Sequence, residues 1–70
     1  MPISMGLTGM PYTIQKISGR PEMSAFLRSM GFHEGVPVTM VIQRGSNMIL
    51  RIHGLSVAVN EEQARNILVG

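Results

Sequence analysis

The amino-acid sequence predicts a mainly β fold: a small barrel of about five short strands, with one short helix between the first and second strands and a helical turn before the last. Three observations carry this. Apolar residues alternate with others through residues 36–42 and 48–52 and again at Val57 and Val59, the period of two that marks strands with one buried face. Just ahead of them Met23, Phe26, Leu27 and Met30 fall at i, i+3, i+4 and i+7, the apolar stripe of a short helix. Single glycines at 31, 35, 45 and 54 punctuate the run, leaving almost no spare linker. The stretch 26–60 (FLRSMGFHEGVPVTMVIQRGSNMILRIHGLSVAVN) therefore organises the chain, and 70 residues make a single domain, 1–70.

Taken in order, residues 1–9 are rich in Gly, Ser and Pro and lack either periodicity, so they read as an irregular arm packing Ile3, Met5 or Leu7. Residues 10–18 carry Tyr12, Ile14 and Ile17 with Thr13, which suits a strand. Strict alternation would put Ile14 and Ile17 on opposite faces, so a bulge or sharp bend between them is expected. Residues 18–21 (SGRP) form a turn, and Pro21 suits the first position of a helix, where its missing N–H costs nothing. The stripe then faces the core with Ser24, Arg28 and Ser29 opposite. Gly31 ends the helix in the left-handed region, and Phe32 folds back onto Phe26 or Leu27.

After Gly35, expected at positive φ, Val36, Val38, Met40 and Ile42 point inward and Pro37, Thr39, Val41 and Gln43 outward. Residues 44–47 (RGSN) connect a hairpin. Met48, Leu50 and Ile52 then face in, and Ile49, Arg51 and His53 face out. Gly54 opens a tight turn, beyond which Val57 and Val59 are inward and Ser56 and Ala58 outward. Asn60 caps a helical turn with Gln63 three residues on, Ala64 packs down, and Ile67, Leu68 and Val69 form a strand that pairs with the first and removes the sheet's free edges. Five strands curled in this order, with one capping helix, make a small SH3-like barrel.

Composition narrows the function. Apolar residues are 44% of the chain and charged residues 14%, with seven Met, which leaves room for an apolar surface that meets a partner. There is no Cys, which excludes disulfides and thiolate metal sites. No apolar run approaches the ~20 residues a membrane helix needs, and residues 1–10 do not form a signal peptide, so the expected location is the cytoplasm, with no insertion into the membrane. Six Lys and Arg against four Glu give a net charge of +2. These bases are spread singly, the opposite of the gathered patch that phosphate binding needs, so no nucleic-acid partner is expected.

No catalytic arrangement is present. A nucleophile needs a base and an orienting group beside it, yet there is no Gly-x-Ser-x-Gly elbow and no Gly-rich loop ending in Gly-Lys-Ser/Thr, so the chain reads as a non-enzyme. His33, His53, Glu34, Glu61 and Glu62 lack any His-x-x-x-His or His-x-His spacing, and no metal or cofactor is expected. A stacking platform needs exposed rings beside basic groups, and among Tyr12, Phe26 and Phe32 only Tyr12 qualifies. What remains is the outward face of the middle strands, where Thr39, Val41, Ile49, Arg51 and His53 form the candidate partner-binding patch. The same Val41 and Ile49 could serve self-association into a homo-oligomer.

The run Leu27-Arg-Ser-Met30-Gly31-Phe32-His-Glu-Gly35-Val36-Pro-Val38, followed by a hairpin, Gly54, a strand holding Ala58 and a closing Asn60-Glu-Glu-Gln-Ala64-Arg-Asn-Ile67, resembles the ferrous iron transport protein A (FeoA) family. Its signature, "Leu, two residues, hydrophobic-Gly-hydrophobic, two residues, Gly", joins helix to barrel, and Gly9 also lies where members often carry Gly. The resemblance implies a small cytosolic SH3-like module that supports or regulates the membrane ferrous iron transporter, a protein with a cytosolic nucleotide-binding domain, by protein contact. It carries over no metal ligands, because the matching positions are glycines and apolar residues. A similar module forms the C-terminal part of iron-dependent repressors, but no winged-helix half precedes it here. The alternatives are a metal or metabolite sensor using His33, His53 and Glu34, or a nucleic-acid-binding small barrel.

Overall fold

In the computed structural model, which describes residues 1–70, the first strand, β1 (Pro11–Ile17), bends the whole sheet. Its first half pairs with β2 (Pro37–Arg44) and its second with β5 (Ile67–Val69), and the register shifts between Ile14 and Lys16. Gln15 is the extra residue, and this bulge lets Ile14 and Ile17 both reach the interior, as expected from their spacing. Between β1 and β2 lies α1 (Pro21–Ser29), and β2 continues into β3 (Asn47–Ile52) and β4 (Leu55–Asn60) as a meander. A single-turn helix, α2 (Glu61–Arg65), carries the chain from β4 to β5. The five strands are antiparallel in the order β4-β3-β2-β1-β5, the mainly β barrel expected of the sequence.

Pro21 opens α1, and the helix stops as its sequence predicts. Gly31 adopts φ 101, its N–H donates to the carbonyl of Arg28 (3.0 Å), and the N–H of Phe32 donates to that of Leu27 (3.2 Å). This closes the last carbonyls and swings Phe32 into the interior. A side chain at Gly31 would be strained by that φ and would meet Ile52 Cδ1 at 3.2 Å.

The stripe itself is narrower than the sequence suggests. Leu27 is fully buried and Met23 and Met30 pack against the core, whereas Phe26 is 48% exposed. A nine-residue helix on so small a barrel buries little more than one row, and Phe32 supplies the aromatic inside.

The core is entirely apolar: fourteen residues from every strand, both helices and the start of the chain, with no buried side-chain polar atom left unpaired. Ile3 belongs to it through a 3-10 turn (Ile3–Met5) that packs against α2. Met5 and Leu7 remain exposed, so of the three arm residues only Ile3 packs. At the other end Asn60 and Gln63 form a reciprocal capping box, with Gln63 N–H donating to Asn60 Oδ1 (2.8 Å) and Asn60 N–H to Gln63 Oε1 (2.9 Å).

Two expectations about the sheet need correction. The alternation of β2 breaks, because Met40 pairs with Leu50 and Ile42 with Ile49, leaving Val41 as a bulged extra residue. Ile42 thereby leaves the core face and is 45% exposed. Nor does β5 abolish the edges. It covers β1, but α2 separates β4 from β5 and the two do not pair. The edge of β5 is covered instead by the start of the chain, where Pro2 bridges to Leu68 and Val69 N–H donates to the Met1 carbonyl (2.7 Å). The edge of β4 has no strand beside it.

Candidate partner-binding surfaces

The outer face of the β2–β3–β4 meander is built from cross-strand rows. Thr39 lies opposite Arg51 and Arg51 opposite Ser56, a polar row. The neighbouring row is apolar: Ile42 opposite Ile49, and Ile49 opposite Ala58. Val41, at the bulge, is half-buried beside it, as are Thr39 and Ile49. Residues across a non-covalent ladder lie close enough for their side chains to touch, so each row acts as one strip of surface. Four of the five sequence-predicted residues, Thr39, Val41, Ile49 and Arg51, are thus brought together. Ile42 joins them unforeseen, because a bulge inside an unbroken alternating run leaves no mark in the sequence.

His53 does not belong to this face. It occupies the two-residue β3–β4 turn with Gly54, at φ 51 and 74, the left-handed pair that such hairpins require. Its imidazole lies by Gly31 at the end of α1, where an added Cβ would be 3.5 Å from Cδ2. The sequence reading took His53 for the last residue of the strand, when the turn had already begun.

A second concave surface opens between the helices. It is a cleft of about 500 Å³, with Met23 and Phe26 among its lining and Arg20, Glu22 and Glu62 as its charged groups. Its mouth is tied shut at one side. Ser18 N–H donates to the Asn66 carbonyl (2.9 Å), Ser18 Oγ donates to Asn66 Oδ1 (3.1 Å), and Asn66 Nδ2 donates to the Glu62 carbonyl (3.0 Å). Gly19, at φ 97, lets the chain pass against Asn66, where a Cβ would come within 3.0 Å. Sequence reasoning missed this cleft because it assigned Phe26 to the core.

Two residues of the rival readings, Glu34 and Tyr12, are otherwise engaged. Glu34 gives both carboxylate oxygens to the Arg28 guanidinium at 2.8 Å each. That bidentate bond, helped by Glu34's own backbone N–H, holds its carboxyl at about 2, below the ordinary 4.5, and raises the pKa of Arg28 in turn. No group of three or more His, Cys, Asp or Glu side chains is gathered anywhere. Tyr12, the one ring considered for base stacking, is half-buried under the arm, with Gly6 against its ring and its hydroxyl accepting from Leu7 N–H at 2.9 Å.

With this geometry in view, comparison with known proteins places the chain. The model of the FeoA domain matches residues 1–70. The chain belongs to the FeoA family. The family is associated with ferrous iron transport, in agreement with the resemblance read from the glycine signature. No curated protein sequence matches at a significant level.

Among solved structures, a FeoA described as an iron uptake regulatory protein superposes with a TM-score of 0.90 at 21% identity, over 99% of this chain and 93% of that one. Iron(II) transport protein A from Clostridium thermocellum gives 0.91 at 24% identity, over 99% of this chain but 44% of that one. The zinc complex of Stenotrophomonas maltophilia FeoA gives 0.88 at 18% identity, over 100% and 89%. That protein is described as a prokaryotic SH3 domain and a candidate activating factor for ferrous iron transport. At these identities the FeoA likenesses establish a shared SH3-like fold. No helix of this chain is long and apolar enough to cross a membrane.

Proposed function

We propose that this FeoA domain is a non-catalytic cytoplasmic accessory of ferrous iron uptake, acting by contact with the membrane ferrous iron transporter's cytosolic nucleotide-binding domain. The observation that supports this most is the apolar row Ile42–Ile49–Ala58, which crosses three strands on the face turned away from the core. Isolated apolar residues on a surface mean little, but a contiguous row beside Arg51 and Thr39 has the apolar centre and polar rim of a protein interface. Ile49 and Ile42 supply burial, and Arg51 sets orientation through its guanidinium.

A second observation favours a second contact. Phe26, half-exposed in the cleft between α1 and α2, offers a rigid aromatic wall with charged groups around it, a shape suited to receiving one apolar side chain of a partner.

Titration of the labelled chain with the transporter's nucleotide-binding domain tests both. Ile49→Glu should leave the fold intact by circular dichroism and weaken binding at least tenfold, since it places a charge at the centre of the buried row. Phe26→Ser reports on the cleft in the same way. Full binding by both variants, or no shifts at residues 39–42 and 49–51, would remove the outer face from the proposal.

A further inference from the structure

We propose that β4 is a self-pairing edge, through which two copies of this chain join antiparallel about a two-fold axis at Val57. The inference rests on backbone accounting and is independent of any role in iron uptake. The two-residue turn at His53 and Gly54 makes Ile52 and Leu55 the closing hydrogen-bonded pair of the β3–β4 hairpin. Antiparallel ladders alternate, so Leu55, Val57 and Val59 direct their N–H and C=O groups to β3, and Ser56, Ala58 and Asn60 direct theirs to the free side. Asn60 N–H is used by the Gln63 side chain. Ser56 and Ala58 keep two donors and two acceptors, on an edge where no strand lies and where both residues are exposed.

Four such groups on i and i+2 are complementary to themselves. With Val57 opposite Val57 of the copy, Ser56 faces Ala58 of the copy and Ala58 faces its Ser56, and every N–H finds a carbonyl. The side chains permit it. Strand edges in monomers are ordinarily blunted by Lys, Pro, a bulge or a covering segment. Of the two edge strands, β5 has its covering segment in Met1 and Pro2, whereas β4 (LSVAVN) has no charge, no proline and no irregularity. Two copies meet there with no like charges opposed, and Leu55, 66% exposed, comes to lie opposite Val59 of the copy. Pairing sets Ala58, the end of one copy's apolar row, opposite Ser56, the end of the other copy's polar row. Six residues of edge give a small interface, so association is expected to be weak and concentration-dependent.

The chain has no cysteine, which allows a register-specific test on the full chain. Val57→Cys would face its own copy in a non-hydrogen-bonded pair with Cα atoms about 4.5 Å apart, within disulfide reach. Mild oxidation should convert most of it to a covalent dimer, while Leu55→Cys, displaced from its own copy, crosslinks several-fold more slowly. In sedimentation equilibrium the unmodified chain should rise above 7.7 kDa toward twice that mass, with the rise visible by about 1 mM. Ser56→Lys, which sets two charges diagonally across the axis, and Ala58→Pro, which removes an outward N–H without touching the β3 ladder, should abolish the rise. A mass that stays at the monomer value, equal crosslinking of the two cysteine variants, or unaltered association of Ser56→Lys overturns the proposal. So does a chain that stays monomeric but whose Ser56 and Ala58 amides shift on adding the transporter's domain, an outcome that assigns the edge to the partner.

Discussion

Glu34 and Arg28 show how a single pair can withdraw residues from other roles. Both are partly exposed, yet the fork-to-carboxylate geometry is bidentate, and it ties the end of α1 to the loop that launches β2. Because the folded carboxyl titrates at about 2 against an ordinary 4.5, the pair contributes stability that is present above 4.5 and is lost as pH falls toward 2. The Arg28→Gln variant should therefore be less stable than the parent at neutral pH, with the difference fading over that acidic window. Glu34 should titrate closer to 4.5 in the variant, as read from its side-chain chemical shifts. Glu34 in the parent titrating at its ordinary value would contradict the ion pair. The sequence showed the helix and the loop but not their partnership, since an acid six residues from a base is an unremarkable spacing until a helix stop turns the chain back.

At the scale of elements, local chemistry was legible wherever one residue type has one physical use. Pro21 at the helix start, Gly31 at its end and the Asn60–Gln63 box all stand where their backbone geometry requires. The box holds one turn of helix that carries Ala64 into the core and aims β5 at β1, so its loss should be felt beyond α2. Asn60→Ala is expected to lower unfolding free energy by about 1 kcal/mol in urea titration, and Asn60→Asp by much less. Equal losses would mean that the side-chain cap is not what holds the turn. Bulges were legible only when forced. The one in β1 followed from two isoleucines three apart that both needed the interior, whereas the one in β2 interrupts a run whose alternation is complete on paper.

For the whole molecule, a core of fourteen side chains in a 70-residue chain leaves little reserve, with total stability on the order of 4–10 kcal/mol. Ile3 lies outside every strand yet is fully buried, so Ile3→Ala should cost about 2–5 kcal/mol in chemical denaturation. Met5→Ala, two residues on and 72% exposed, should stay within about 0.5 kcal/mol. Similar losses for the two would show that the 3-10 turn does not anchor the arm.

The sequence by itself determined the barrel and its strand order, because hydrophobic period, turn glycines and caps act over a few residues and agree with one another. It also carried the family, since the signature glycines mark the joints of the fold. Tertiary structure alone decided which apolar residues are left outside: Ile42 through a bulge, Phe26 through the narrowness of the helix contact, and the bare edge of β4 through the interposed α2. Those outcomes depend on how much surface the rest of the molecule can cover, a quantity set by packing between distant segments and written in no single stretch of the chain.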